Sequence, residues 1–152
     1  MIDAPPAANA CALCGPDDER AVHLVARSRD WRVVRVLDNP DHPAFWRVIC
    51  NGHAAELTDL LPEQRSALMQ AVCKVEDAVR AELQPTKINL ASLGNMVAHV
   101  HWHVIARFAT DRHFPQPVWA APQREPDERL LVRLSALVPQ VDRAIQQALL
   151  RR

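Results

Sequence analysis

The chain has 152 residues, enough for one well-packed domain and short for two. Its 18 Lys and Arg balance 18 Asp and Glu, so no overall basic field exists to recruit nucleic acid or an anionic membrane. Four cysteines, an opening MIDAPPAANA with neither a basic nor a long apolar stretch, and no apolar run near the roughly 20 residues that span a bilayer predict a cytoplasmic protein with reduced or metal-bound thiols.

Residues 1–10, rich in Ala and Pro, read as a flexible N-terminus. Short strands are expected over Val22–Ala26, Trp31–Leu37 and Phe45–Cys50. Turn signals separate them at Ser28-Arg29-Asp30 and Asp38-Asn39-Pro40-Asp41. A helix follows, with Pro62 in its first turn and Leu68, Val72, Val75, Val79 and Leu83 at three- and four-residue spacing, and Pro85 stops it. Lys87–Ala91 reads as a strand, Leu93-Gly94-Asn95 as a turn, and Val97–Phe108 as one long strand. In the tail, Leu130, Leu134, Leu137, Val141, Ile145 and Leu149 form a helical stripe that Pro139 interrupts, which predicts one kinked helix or two short ones. The order implies an α+β domain: an antiparallel sheet of about five strands, one long helix packed on it, and a C-terminal helical tail. With glycines only at 15, 52 and 94, no phosphate-cradling glycine loop can form. Cys50 and Cys73 read as small buried hydrophobes.

The stretch HVHWHVI places His99, His101 and His103 at alternate positions. On a strand all three would face one way, about 7 Å apart, with Val100, Trp102 and Val104 facing the other. Three readings fit that spacing: a solvated strand face, a metal site, or covalent catalysis by an imidazole that is neutral near pH 7. Spacing alone does not separate them.

The longer run KINLASLGNMVAHVHWHVIARFATDRHFPQPVW resembles a bacterial branch of the histidine-triad (HIT) superfamily, one similar to diadenosine tetraphosphate hydrolases. The likeness extends from about Val22 to Trp119. It implies a HIT domain over 11–121 and a C-terminal extension over 122–152. It also implies a nucleotide substrate, split at the α-phosphorus through a covalent nucleotidyl-histidine, with no catalytic metal required. His99, His101 and His103 would form the catalytic group, His101 as nucleophile and His103 acting on a phosphoryl oxygen or the leaving group. Asn89 and Asn95 would reach the phosphate region, and Asp38 the ribose. Turn capping explains Asn95 and Asp38 equally simply, and strand-end capping explains Asn89 less readily. Many relatives carry a fourth histidine on the third strand, where this chain has Trp46 and Arg47. That departure motivates the alternative of a nucleotide-binding or interaction module with little turnover.

Cys11-Ala-Leu-Cys14 is half of a tetrahedral zinc site, or two unremarkable cysteines. The resemblance implies completion by His53 and His99, giving a structural zinc. It further implies a two-fold homodimer built on the long helix and an edge strand. The leucine-rich tail lies beyond the resemblance, but its second apolar stripe also needs a partner surface and is expected to pack across or beside that interface.

Overall fold

A computed structural model describes residues 11–151. The segment 1–10, expected to be flexible, lies outside the described residues. Five strands form one sheet: β1 (Val22–Arg27), β2 (Trp31–Val36), β3 (Phe45–Cys50), β4 (Lys87–Ala91) and β5 (His101–Arg107). Their order is β1-β2-β3-β5-β4, and every neighbouring pair is antiparallel. The chain leaves β3 through α1 (Pro62–Leu83), returns along the far edge as β4, and closes the gap with β5.

Strands and helix follow the hydrophobic pattern closely. The stripe Leu68, Val72, Val75, Val79 and Leu83 is buried throughout, in one core with Val48 and Val104 of the sheet and Val100 just before β5. Gln64 Oε1 accepts the Leu61 N–H at the start of α1, and Gln84 ends it in the left-handed region at φ 47.

The tail is a single helix, α2 (Glu128–Leu150), running through Pro139. Pro139 and Ser135, whose carbonyl loses its helical partner, are both exposed, so the freed group need not be paired within the protein and the helix continues. Asp127 caps it by accepting the Leu130 N–H at 3.1 Å. Leu130, Leu134, Val138, Val141 and Ile145 join the same core as α1, so the stripe expected to seek a partner molecule finds its surface within the chain. Buried Asp142 accepts from the Trp46 indole at 2.8 Å and from Arg35 Nε at 2.9 Å, fastening α2 to β2 and β3. A bulge in β1 leaves Val25 unpaired, and Gln146 donates to its carbonyl at 2.8 Å.

Two expectations are corrected. Cys73 is exposed, on the side of α1 turned away from the sheet, whereas Cys50 is buried as expected. The long histidine strand begins at His101, not Val97. The Val100 N–H is taken by the Ala54 carbonyl and the Val100 carbonyl by the Cys50 N–H, while the His99 N–H turns back to Val97 at 2.8 Å. His99 is therefore not the first member of a flat histidine row.

Candidate functional site

Both helices cover one face of the sheet, leaving the other to the histidines. The β3–β5 register sets His101 opposite Ile49, His103 opposite Arg47 and Ile105 opposite Phe45. Val36, Phe45, Ile105 and Val118 form a small apolar floor on this face. His101 and His103 stand on it with ring centroids 4.8 Å apart, nearly perpendicular. His101 Nδ1 lies 2.7 Å from the His99 carbonyl. A carbonyl only accepts, so Nδ1 carries the proton and Nε2 keeps its lone pair. Burial holds the His101 imidazole below its ordinary pKa, and nearby Arg47 adds to this against the opposing His99 bond. Burial, with His101 and Arg47 beside it, pushes His103 down to about 3. Both rings are thus neutral near pH 7, able to attack or to donate from a single N–H.

The two rings open into a cleft of about 480 Å³ walled by Arg47, Asn95, Met96 and Trp119. Gly94, at φ 75, turns the loop that overhangs it. The Trp119 ring meets His103 edge-on at 5.2 Å. Its loop is held by Asp111, which accepts from Arg107 at 2.8 and 3.0 Å and from the N–H groups of Phe108, His113 and Phe114. Burial alone would raise the Asp111 carboxyl, but these donors overcome it and hold the group at about 2.

Behind the nucleophile lies a second cluster. Sγ of Cys11 and Cys14 and Nδ1 of His53 and His99 all fall within 4.8 Å of one another. Sulfur-to-nitrogen separations are 3.3 to 3.5 Å, close to the edge of about 3.6 Å that tetrahedral zinc with two thiolates and two imidazoles requires. His99 Nε2 lies 2.7 Å from the Cys50 carbonyl and so carries the proton, which leaves Nδ1 unprotonated towards the thiols, the tautomer a metal ligand needs. His99 thus joins the two clusters, its ring in one and its carbonyl in the other.

The HIT domain family model matches residues 22–110. This chain belongs to the HIT family. Its fold resembles a histidine triad protein of Bradyrhizobium japonicum, 26% identical, at TM-score 0.62, over 80% of this chain and 91% of that one. A Marinobacter aquaeolei histidine triad protein is similar at 25% identity and TM-score 0.60, with 80% and 91% covered. A histidine triad family protein of Mycobacterium smegmatis, described as zinc-bound, shares 22% identity and TM-score 0.57 over 91% and 99%. Among curated proteins none matches the chain.

In this HIT domain the triad is split: His101 and His103 share the cleft, whereas His99 faces the cysteines. Asn95 lines the cleft and is exposed. Asn89 is not in the cleft wall; it accepts from Arg107 Nη1 at 2.7 Å and borders a neighbouring hollow beneath Trp119. Asp38 is exposed at the end of β2, where its charge is felt by Arg47. All four expected metal ligands come together. Sequence reasoning passed over the Arg107–Asp111 pair and Trp119. Arg107 ends a strand, where a four-residue spacing does not bring side chains together, and nothing local marks the five acceptor contacts of one aspartate.

Proposed function

We propose that this HIT protein is a nucleotide hydrolase or nucleotidyl transferase that cleaves at the α-phosphate of a nucleoside phosphate derivative, such as a dinucleoside polyphosphate. The observation that carries the reading is His101: its Nδ1–H is fixed on the His99 carbonyl at 2.7 Å, which aims a lone pair from Nε2 at the cleft. Nε2 attacks the α-phosphorus and forms an N–P bond. The P–O bond to the leaving phosphate or polyphosphate breaks, and the electron pair departs with that anion. The phosphorylated ring becomes cationic, and the His99 carbonyl stabilises the proton it keeps on Nδ1. His103, with one N–H and a buried Nδ1 that has no partner among the described residues, donates to a phosphoryl or leaving oxygen. Water then attacks phosphorus, the N–P pair returns to Nε2, and the water proton leaves with the nucleoside monophosphate or to solvent.

Mass spectrometry after brief incubation with a dinucleoside polyphosphate and a quench in base tests this. A nucleoside monophosphate adduct on His101, absent from His101→Ala, is the expected result. Turnover also disappears in that variant, while nucleotide affinity stays within about tenfold, because a nucleophile acts mainly in the transition state. Tight binding with neither adduct nor product would favour the low-turnover module, a reading supported by the buried Trp46 and the Arg47 that replace a fourth histidine on β3.

The cysteine–histidine cluster is read as a structural zinc site, its four ligands closing the coordination sphere. When bound, the ion would tie residues 11–14 to the segment before β5. A homodimer and a cytoplasmic location complete the proposal. The dimer is supported by edge strand β4, along which Leu90, Leu93 and Trp119 are 37, 51 and 53% exposed. The location is supported by four unpaired cysteines. Among the described residues no helix is long and apolar enough to cross a membrane.

A further inference from the structure

The strands carry five arginines, and four of them are matched to acids. Arg27 and Arg32 reach Asp17 at 3.6 and 2.9 Å, Arg35 reaches Asp142 at 2.9 Å, and Arg107 reaches Asp111 at 2.8 Å. Arg47 is the exception. Among the described residues no carboxylate lies within 4.0 Å of its guanidinium, and its buried Nε has no hydrogen-bond partner. Asp38, whose field it feels, stays beyond ion-pair distance. The Arg47 side chain packs by Phe45, with its Cζ 5.6 Å from the ring centroid, so one flat side is held by an aromatic face. It lies opposite His103 across the β3–β5 pair and lines the cleft that holds both histidines. It is also the only Arg, Lys, Asp or Glu among the described residues of that cleft wall.

A half-buried, permanently charged group with no internal counterion is costly unless a ligand supplies one. The planar fork of N–H donors suits the tetrahedral oxygens of a phosphate better than a second imidazole would. We propose that Arg47 is the anion-holding residue of the cleft, gripping a non-bridging oxygen of the phosphoryl group presented to His101. This rests on the nucleotide reading above and deepens it: the cleft that holds both histidines carries a fixed positive charge where the phosphoryl oxygens would lie. The site is then selective for phosphorylated over neutral nucleosides, independently of whether turnover is fast.

The test is titration of inorganic phosphate, AMP and adenosine into the full chain, into Arg47→Gln and into Arg47→Lys, followed by calorimetry and by the ring-proton NMR signals of His101 and His103. Arg47→Gln is expected to weaken phosphate and AMP at least tenfold, to leave adenosine affinity unchanged, and to recover partly in Arg47→Lys. Equal AMP affinity in the parent and Arg47→Gln would overturn the assignment while leaving nucleotide binding standing. Phosphate binding that depends on Arg47, with AMP no tighter than phosphate, would uphold Arg47 and remove the nucleotide reading. Absence of phosphate and AMP binding in the parent, or loss of the fold in both Arg47 variants, would overturn the proposal.

Discussion

Replacing Asp142 with alanine should loosen the joint between α2 and the sheet by an amount that can be worked from its partners. The Trp46 indole it accepts is fully buried, so its N–H would be left without an acceptor, costing about 1–3 kcal/mol. The Arg35 side chain is 15% exposed and regains part of its hydration, so its loss falls below the ~3–5 kcal/mol typical of a broken buried pair. A combined loss of about 4 kcal/mol is expected, a large share of the roughly 5–15 kcal/mol that stabilises a domain. For a domain of this size that lowers Tm by roughly 8–16 °C. Urea unfolding followed by tryptophan fluorescence reads it, with an unchanged m-value showing that the denatured state is not altered. Trp46→Phe in the Asp142→Ala background removes the orphaned donor, so the two changes should be coupled by about 1 kcal/mol or more. A midpoint within about 1 kcal/mol of the parent would refute the reasoning.

Elemental analysis should find about one zinc per chain; Cys11 and Cys14 should resist alkylation until a chelator is added, while exposed Cys73 reacts at once. Zinc-free protein whose Cys11 and Cys14 label as fast as Cys73 would remove the site. His42 hydrogen-bonds His113 at 2.9 Å, and burial pushes it down to about 4, with Arg107 and His113 adding to this against Asp111 and Asp41. The unfolded chain therefore takes up a proton near pH 6.5 that the folded chain refuses until about pH 4, so this contribution is intact above pH 6.5 and is lost as pH falls through that window. His42→Gln should flatten the decline between pH 6.5 and 4.5 by about 1–2 kcal/mol in urea titrations, and a parallel decline would refute the assignment. A chain ending at Ala121 lacks α2, should expose the core residues beneath it and should fail to unfold cooperatively, whereas an independently stable product would show α2 to be dispensable. Light scattering of the full chain should give a dimer mass at micromolar concentration; a monomer mass would sink the homodimer.

The strands and α1 were legible because their apolar residues recur at periods of two and of three to four, and proline marks both ends of α1. The start of β5 was not. HVHWHVI alternates perfectly from His99, yet the ladder opens only where Ile49 faces His101, and the hydrogen bonds from Cys50 N–H to the Val100 carbonyl and from Val100 N–H to the Ala54 carbonyl decide that. The cysteine–histidine set was readable only through family likeness, since its members lie as far as 88 residues apart. The split of the triad, and the ties of Arg107 to Asp111 and of Asp142 to Trp46, depend on which faces meet in space. No local pattern encodes that.

The bond between Trp46 and Asp142 spans 96 residues, nearly two-thirds of the chain. During synthesis β3 is therefore made long before the helix that covers its inner face, and the loop between them must close before either gains from the contact. Until α2 has left the ribosome, the core that Trp46 and Val48 share with it lacks one of its two helices, leaving a sticky surface suited to chaperone capture. The histidines stand on that same sheet, so the reactive face becomes rigid only after the last helix arrives. Proteolysis of stalled nascent chains, one with α2 held inside the ribosome and one extended by a linker that carries α2 clear of it, should reveal that transition, while equal resistance of the two would show that the sheet consolidates without α2.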